Sequence, residues 1–364
     1  MFVVLTRSFP PEIGGMQNLM GGLSKALLDH GPVKVFADKS ENYEEYDKTS
    51  KIEIERFGGI KLLRKYRKAN RLIEFIKNNK NIRSIFFDHW KSVEKINSDF
   101  LKNIPSFCLI HSKEINHSKG SGLNKRVLKS IAKVKYIIAN SNFTKNLGVQ
   151  IGLPEKKIYI INPGCDEPIE IKNDLQVKTD EIYKDSFPKI LTIARLEKRK
   201  NHQNILMCIK NLSEKFPKIK YISIGDGEEK EKLISLSKEL KIENNVSFVY
   251  AIDQELKAAF IKNSNLFLMP SIISKKSVEG FGISFIEAAS YGVGSIGGSD
   301  GGERDAIVDG KTGLICNGND INSIHEKILK FLENDNYKTY GSNAIKFSKN
   351  FNWKYIVKKY INLI

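Results

Sequence analysis

Short runs of β-forming apolar residues alternate with longer segments of helical period along almost the whole chain, and this alternation restricts the fold more than any other feature. The first series of runs is Phe2–Leu5, Val33–Phe36, Ser84–Phe87, Phe107–Ile110 and Tyr136–Ala139. Helix-period segments separate them at Met16–Leu28, Leu62–Ile76, Leu123–Ile131 and Asn142–Val149. Such a pattern predicts a parallel sheet with helices on both faces, because parallel neighbours need a crossover long enough to bring the chain back. A polar, acidic stretch at Asp166–Phe187 interrupts the pattern. A second series then follows: Ile190–Ile193, Ile219–Ile224, Val246–Tyr250, Leu266–Met269, Val293–Ile296 and Gly313–Cys316. The expectation is two α/β domains joined near residues 166–187. Three closing helices, Ile321–Leu332, Tyr337–Ser348 and Trp353–Ile364, end the chain. The last is apolar along one side and must either complete the second domain or cross back to the first.

Composition narrows the function. A length of 364 residues suits two domains, and 41% hydrophobic with 10% aromatic residues excludes a disordered chain. No run approaches the ~18 apolar residues of a membrane span. The Met1–Leu5 run is too short for a signal-peptide core and is cut off by Arg7. Four widely spaced cysteines (Cys108, Cys165, Cys208, Cys316) form no zinc motif and fit a reducing cytoplasm. The formal charge of +17 admits nucleic acid, an anionic membrane or a phosphorylated ligand. Only 10 of the 59 basic residues are Arg, the side chain that reads phosphates and bases by its planar fork, so charge alone selects none of these.

Chemistry-bearing residues gather at the ends of the expected strands. Gly14-Gly15 lies between the first strand and its helix, where backbone N–H groups and the helix dipole favour an anion. Arg195 and Lys200 follow the strand Ile190–Ile193, at the carboxyl end where open α/β sheets bind ligands. Together they could neutralise a diphosphate, the Arg bidentately and the Lys as a point charge; a solvated charge run is the plainer alternative. His111 ends the strand Phe107–Ile110 in the same way, whereas His30, His89, His117, His202 and His325 have no comparable setting. The stretch Glu279-Gly280-Phe281-Gly282-Ile283-Ser284-Phe285-Ile286-Glu287 places one carboxylate in a glycine-rich loop and another in the first turn of a helix. Ser284 and Glu287 also fit a capping box, which would account for Glu287 but not for Glu279 or the glycines. Lys61, Arg64, Lys65, Arg67, Lys68 and Arg71 form the densest basic cluster, on a segment whose Leu62, Leu63, Tyr66, Leu72, Ile73 and Ile76 have helical spacing. Such a helix could lie on anionic lipid or simply pack on a core with its lysines in water. No metal-ligand spacing is present.

Taken together, these residues resemble the retaining family 4 glycosyltransferases of the GT-B fold. The likeness covers nearly the whole chain. It rests on the Glu279…Glu287 signature together with Gly14-Gly15, His111, Asn140-Ser141, Asn162-Pro163-Gly164-Cys165-Asp166, Arg195…Lys200, Gly301-Gly302 and Phe351-Asn352-Trp353. The segment Phe9-Pro10-Pro11…Ile13-Gly14-Gly15-Met16-Gln17 is most similar to mannosyltransferases acting on phosphatidylinositol mannosides. The resemblance implies two facing Rossmann-like domains with a cleft between them. Residues 1–166 would form the acceptor side, joined by a crossing helix at 350–364, and residues 167–349 would bind the nucleotide sugar. It further implies that Arg195 and Lys200 hold the donor diphosphate with the Gly15 N–H. Glu287 would take the ribose, and Glu279 the transferred sugar with Phe281, Gly282 and Ile283. His111 would sit near the reacting carbon. The sequence departs from the family at Asn201, Gly294 and Glu303-Arg304-Asp305, the last beside the expected diphosphate.

The function so implied is transfer of a mannose- or glucose-type hexose from a GDP- or UDP-sugar to a glycan or lipid-linked acceptor, with no cofactor required. The place would be the cytoplasm, or peripherally the inner face of the plasma membrane. Glycosidases that retain configuration by double displacement set two carboxylates ~5–5.5 Å apart. With Glu279 and Glu287 assigned to hydroxyls, front-face substitution is expected instead. A nucleotide-sugar-binding scaffold without transfer is the rival reading. A nucleic-acid binder is a further one, for which no arginine stripe or RNA-binding aromatic motif is present.

Overall fold

The computed structural model describes all 364 residues. They form two compact units, Met1–Gly164 together with Asn352–Ile364, and Cys165–Phe351.

The first unit is built on seven strands: β1 Phe2–Leu5, β2 Val33–Asp38, β3 Glu53–Phe57, β4 Ser84–Phe87, β5 Ser106–Ile110, β6 Tyr136–Ala139 and β7 Ile158–Ile160. They are all parallel, in the order β3-β2-β1-β4-β5-β6-β7. Every residue of β1, β4, β5 and β6 is buried, as expected of strands covered on both faces. Alternate side chains therefore feed two cores, Val3, Leu5 and Phe87 on one face and Phe2, Val4 and Phe86 on the other. β3 and β7 lie outside the sequence expectation, and both are edge strands. An edge pairs on one side only, so it tolerates the charged Glu53, Glu55 and Arg56 that hide β3 from an apolar pattern.

The helix Trp353–Ile361 belongs to this unit, which decides between the two placements open from sequence. Ile356, Val357 and Tyr360 are buried, and Tyr360 stands edge-on to Phe86 and Phe107 at 5.7 and 5.8 Å. The Trp353 indole occupies the space that side chains at Gly22 and Gly164 would need; a Cβ on either would come within 2.3 Å of it.

The second unit has six parallel strands: β8 Lys189–Ile193, β9 Lys220–Ile224, β10 Val246–Val249, β11 Leu266–Met269, β12 Ser295–Gly298 and β13 Gly313–Cys316. Their order is β10-β9-β8-β11-β12-β13. The polar stretch that reads as a linker contains the helix Asn173–Tyr183. Only Thr179 and Tyr183 of that helix are buried, too few for an apolar period to show. Strand order reverses once in each sheet, between β1 and β4 in the first and between β8 and β11 in the second. At such a point the connections diverge to opposite faces and leave a crevice at the carboxyl ends, the usual ligand site of an open α/β sheet. No helix is long and apolar enough to cross a membrane.

Candidate functional site

The switch point of the second sheet gathers most of the expected donor residues. After β8 the chain makes one tight turn, Lys198–Lys200, and Asn201 follows in the left-handed region at φ 63°. Asn is among the few side chains that tolerate this conformation, which accounts for an Asn where the family commonly has Gly. The turn is tied down by the Ile272 N–H, which donates to the Arg199 carbonyl at 2.9 Å. Asn201 Nδ2 adds bonds to the carbonyls of Pro270 and Gly318 at 2.9 and 2.7 Å. Lys200 is thereby buried, its Nζ against the Glu279 carboxylate and 3.2 Å from Met269 Sδ. Arg199 Nη1 reaches the same carboxylate oxygen at 2.9 Å, and its Nε holds Glu197 at 3.0 Å. Burial pushes the Glu279 carboxyl upward, but Lys200 and Arg199 outweigh it and hold the group down at about 2.

Arg195 is placed differently from Lys200. Its side chain is 69% exposed and pairs with Glu197 at 2.7 Å, so Arg199, not Arg195, shares Glu279 with Lys200. Sequence reasoning passed over Arg199 because it sits among equivalent charges in Lys198-Arg199-Lys200. The one available signal was its position immediately before the lysine.

Gly282 caps the helix Ile283–Ser290 at φ 84°, a conformation that favours glycine, and no side chain caps that end. The capping-box expectation therefore fails: Ser284 lies inside the first turn, and Glu287 accepts from Lys257 Nζ at 3.2 Å instead. Phe281 is buried 5.7 Å from Phe351, which leaves its backbone and not its ring for a ligand.

Glu303 stands at the departure from the family pattern, in the turn Gly302–Asp305 after β12. It is fully buried, and neither carboxylate oxygen has a hydrogen-bond partner. Burial first, and then the charge of Glu279, raise its pKa well above the usual carboxylate range. Ser271, Lys200 and the Gly298 backbone pull the other way, without a hydrogen bond of ordinary geometry. The neighbouring backbone leaves it no room: a Cβ at Gly298 would stand 2.8 Å from Oε2.

In the first unit Gly14 caps the helix Gly15–Leu28, and the space beside the Gly15 Cα is open. His111 caps the short helix Ser112–Ile115 at the end of β5. Burial lowers its pKa to about 4 against the pull of Asp88, and its Nε2 is shielded without a hydrogen-bond partner. His89, passed over in the sequence, is buried at the end of β4, 3.3 Å from Glu114.

The basic cluster lies on the helix Lys61–Asn78, and most of it is engaged within the unit. Lys68 is buried between Asp38, at 2.5 Å, and the Thr6 carbonyl, at 2.7 Å, so it faces no surface. Lys65 pairs with Glu94 at 2.9 Å, and Arg71 with Glu55 and Glu74 at 2.9 and 3.0 Å. Arg64 and Arg67 donate to the carbonyls of Gly59 and Gly58. Lys61 is exposed, and so are the apolar Ile60, Leu62, Leu63 and Tyr66 around it. The solvent face of this helix start is thus apolar more than cationic.

Comparison with known proteins follows the same division. Residues 13–167 match the family described as Glycosyltransferase Family 4, and residues 177–347 that described as Glycosyl transferases group 1. An uncharacterized glycosyltransferase of Methanocaldococcus jannaschii is 26% identical over 98% of this chain and 96% of its own. A GDP-mannose-dependent alpha-(1-6)-phosphatidylinositol monomannoside mannosyltransferase of Mycolicibacterium smegmatis is 23% identical over 88% of this chain and 86% of its own. Among solved structures, Anabaena HepE in complex with UDP and glucose superposes with a TM-score of 0.80 at 16% identity, covering 100% of this chain and 98% of that one.

Proposed function

The chain belongs to the retaining family 4 glycosyltransferases of the GT-B fold, and from that premise we propose that it moves a mannose- or glucose-type hexose from a GDP- or UDP-sugar to a glycan or lipid-linked acceptor. The observation that carries this reading is the buried Lys200–Glu279–Arg199 cluster at the switch point of the second sheet. Three cations there, Arg195, Arg199 and Lys200, exceed the two carboxylates they pair with, Glu197 and Glu279, and an arriving diphosphate supplies the missing negative charge. Lys200 turns from Glu279 to the phosphates, assisted by Arg195. Arg199 keeps Glu279 ionised, free to accept from hydroxyls of the transferred sugar alongside the Phe281, Gly282 and Ile283 backbone. Glu287 takes the ribose hydroxyls, and in the first unit His111 meets the sugar near the reacting carbon.

As the donor bond breaks, negative charge builds on the leaving diphosphate, and preorganised cations stabilise it without reorganising. The departing phosphate takes the acceptor proton in a front-face substitution. The mannosyltransferase relatives favour a GDP-linked donor and a lipid-linked acceptor. The exposed Ile60, Leu62, Leu63 and Tyr66, with Lys61, form a surface suited to a lipid, on the inner face of a membrane. A thermal-shift and hydrolysis screen across GDP- and UDP-sugars tests the assignment. One donor should raise the melting temperature and release its nucleoside diphosphate. No shift with any donor would refute it, and trapping a covalent glycosyl-enzyme would refute the front-face step alone.

A further inference from the structure

The switch point of the first sheet carries a polar cluster for which donor binding has no use. Asp88, at the end of β4, is buried and fully satisfied. Its carboxylate accepts from Thr6 Oγ1 at 3.0 Å and the Arg7 N–H at 2.7 Å, both leaving β1, and from Ser92 Oγ at 2.6 Å. The next residue, His89, is fixed as well. Its Nδ1 accepts from the Lys91 N–H at 2.9 Å, so the single proton of the neutral ring sits on Nε2. That atom stands 3.3 Å from the Glu114 carboxylate. Trp90 Nε1 donates to the Glu114 carbonyl at 3.2 Å and anchors the backbone that presents the carboxylate.

Glu114 differs from its neighbours in being both oriented and accessible. About a quarter of its side chain (26%) reaches solvent, and it lies three residues past His111, whose Nε2 is without a partner. Burial first and then the Asp88 charge raise its pKa to about 8, against Arg7, Lys91 and Lys113. Burial, reinforced by Arg7, His111 and Lys91, lowers that of His89 to about 2, so both shifts favour the uncharged forms. A neutral carboxyl group offers one donor and one acceptor side by side. That is the complement of an alcohol, which also gives and takes one hydrogen bond.

We propose that Glu114, oriented by His89, binds a ring hydroxyl of a sugar acceptor at the switch point of the first sheet. Glu114 touches the acceptor, and His89 acts through it as a positioning residue. The identity of the ligand rests on the glycosyl-transfer reading; the existence of the site does not.

The test is ligand-observed NMR of the intact protein with methyl α-D-mannopyranoside and methyl α-D-glucopyranoside, and in parallel with GDP and UDP. The wild type should bind a glycoside. Glu114→Gln, which keeps a donor and an acceptor in place, should bind within about threefold of it, and Glu114→Ala should lose about tenfold, the worth of one or two hydrogen bonds. His89→Ala should weaken glycoside binding similarly although Glu114 is intact, and nucleotide binding should be unchanged in all variants. If His89→Ala fails to fold, the Glu114 pair decides by itself, since that side chain is partly exposed. The proposal is overturned if the wild type binds neither glycoside, or if Glu114→Ala binds as well as the wild type. Glycoside binding without any nucleotide binding would instead leave this site standing and remove the glycosyl-transfer reading.

Discussion

Replacing Glu303 with leucine should stabilise the second unit, contrary to the usual outcome of altering a fully buried residue. In the wild type the carboxyl is buried without a hydrogen bond, and leaving such a group unsatisfied costs about 1–3 kcal/mol. Leucine removes that penalty and adds apolar burial worth about 1.5–3 kcal/mol, reduced by imperfect fit in a pocket shaped around a longer side chain. The net expectation is about 3 kcal/mol, or about 6–12 °C in the melting transition of a unit this size. The sign with pH follows from the raised pKa. The folded state keeps a proton that the unfolded chain releases, so the acid's contribution is intact below the unfolded pKa, near 4.5. It is lost as pH climbs toward the folded value, by up to about 1.4 kcal/mol per pH unit. Calorimetry from pH 5 to pH 9 without donor should therefore show the wild-type transition falling with pH more steeply than that of Glu303→Leu, the gap widening toward alkali. A leucine variant that melts below the wild type at pH 8, or parallel pH slopes in the two proteins, would show that Glu303 has a stabilising partner and that the reasoning is wrong.

Three further outcomes are expected. Lys200→Ala and Arg199→Ala should each lower turnover, the lysine variant by about a hundred- to a thousandfold as a lost contact to transition-state charge, measured as nucleoside diphosphate release; near-normal rates in Lys200→Ala would sink the diphosphate assignment. Glu279, held near 2, contributes stability that is complete above its unfolded pKa and disappears as pH falls from about 4.5 toward 2; the melting temperature of Glu279→Gln should lack that acid-side decline. Gly164→Ala should destabilise the first unit by about 1–3 kcal/mol because its Cβ meets the Trp353 ring, and most of that penalty should vanish in a Trp353→Ala background, as denaturant melts of the four proteins in the cycle can show.

The two sheets were legible because strands buried on both faces must be apolar throughout, and their helical crossovers must keep a helical period. What escaped notice lay where that demand relaxes: the charged edge strand Glu53–Phe57 and the helix Asn173–Tyr183, which buries two side chains. The site divides in the same manner. Lys200 and Glu279 could be read because each follows a strand in a distinctive local setting. The His89–Glu114 pair could not, because β4 and β5 meet only in the folded sheet and neither residue has an unusual neighbour in the chain. Arg199 was hidden among like charges. Glu303 was visible as a departure from the family, but its burial follows from how the turn Gly302–Asp305 packs beneath β12, which no spacing encodes.

The clasp of Trp353 between Gly22 and Gly164 also bears on how this chain comes to be folded. The first unit takes its closing helix from residues that follow the whole of the second unit in chain order. During synthesis the part of its core that Tyr360 covers, against Phe86 and Phe107, must wait while every strand of the other unit emerges, the helix Gly15–Leu28 shielding the rest of that sheet face. This segment, made after the second unit, therefore acts as a completion signal. Until Trp353 reaches its slot, the nascent first unit exposes an aromatic surface to chaperones, and a chain cut short before Asn352 should keep a folded second unit attached to an aggregation-prone first one.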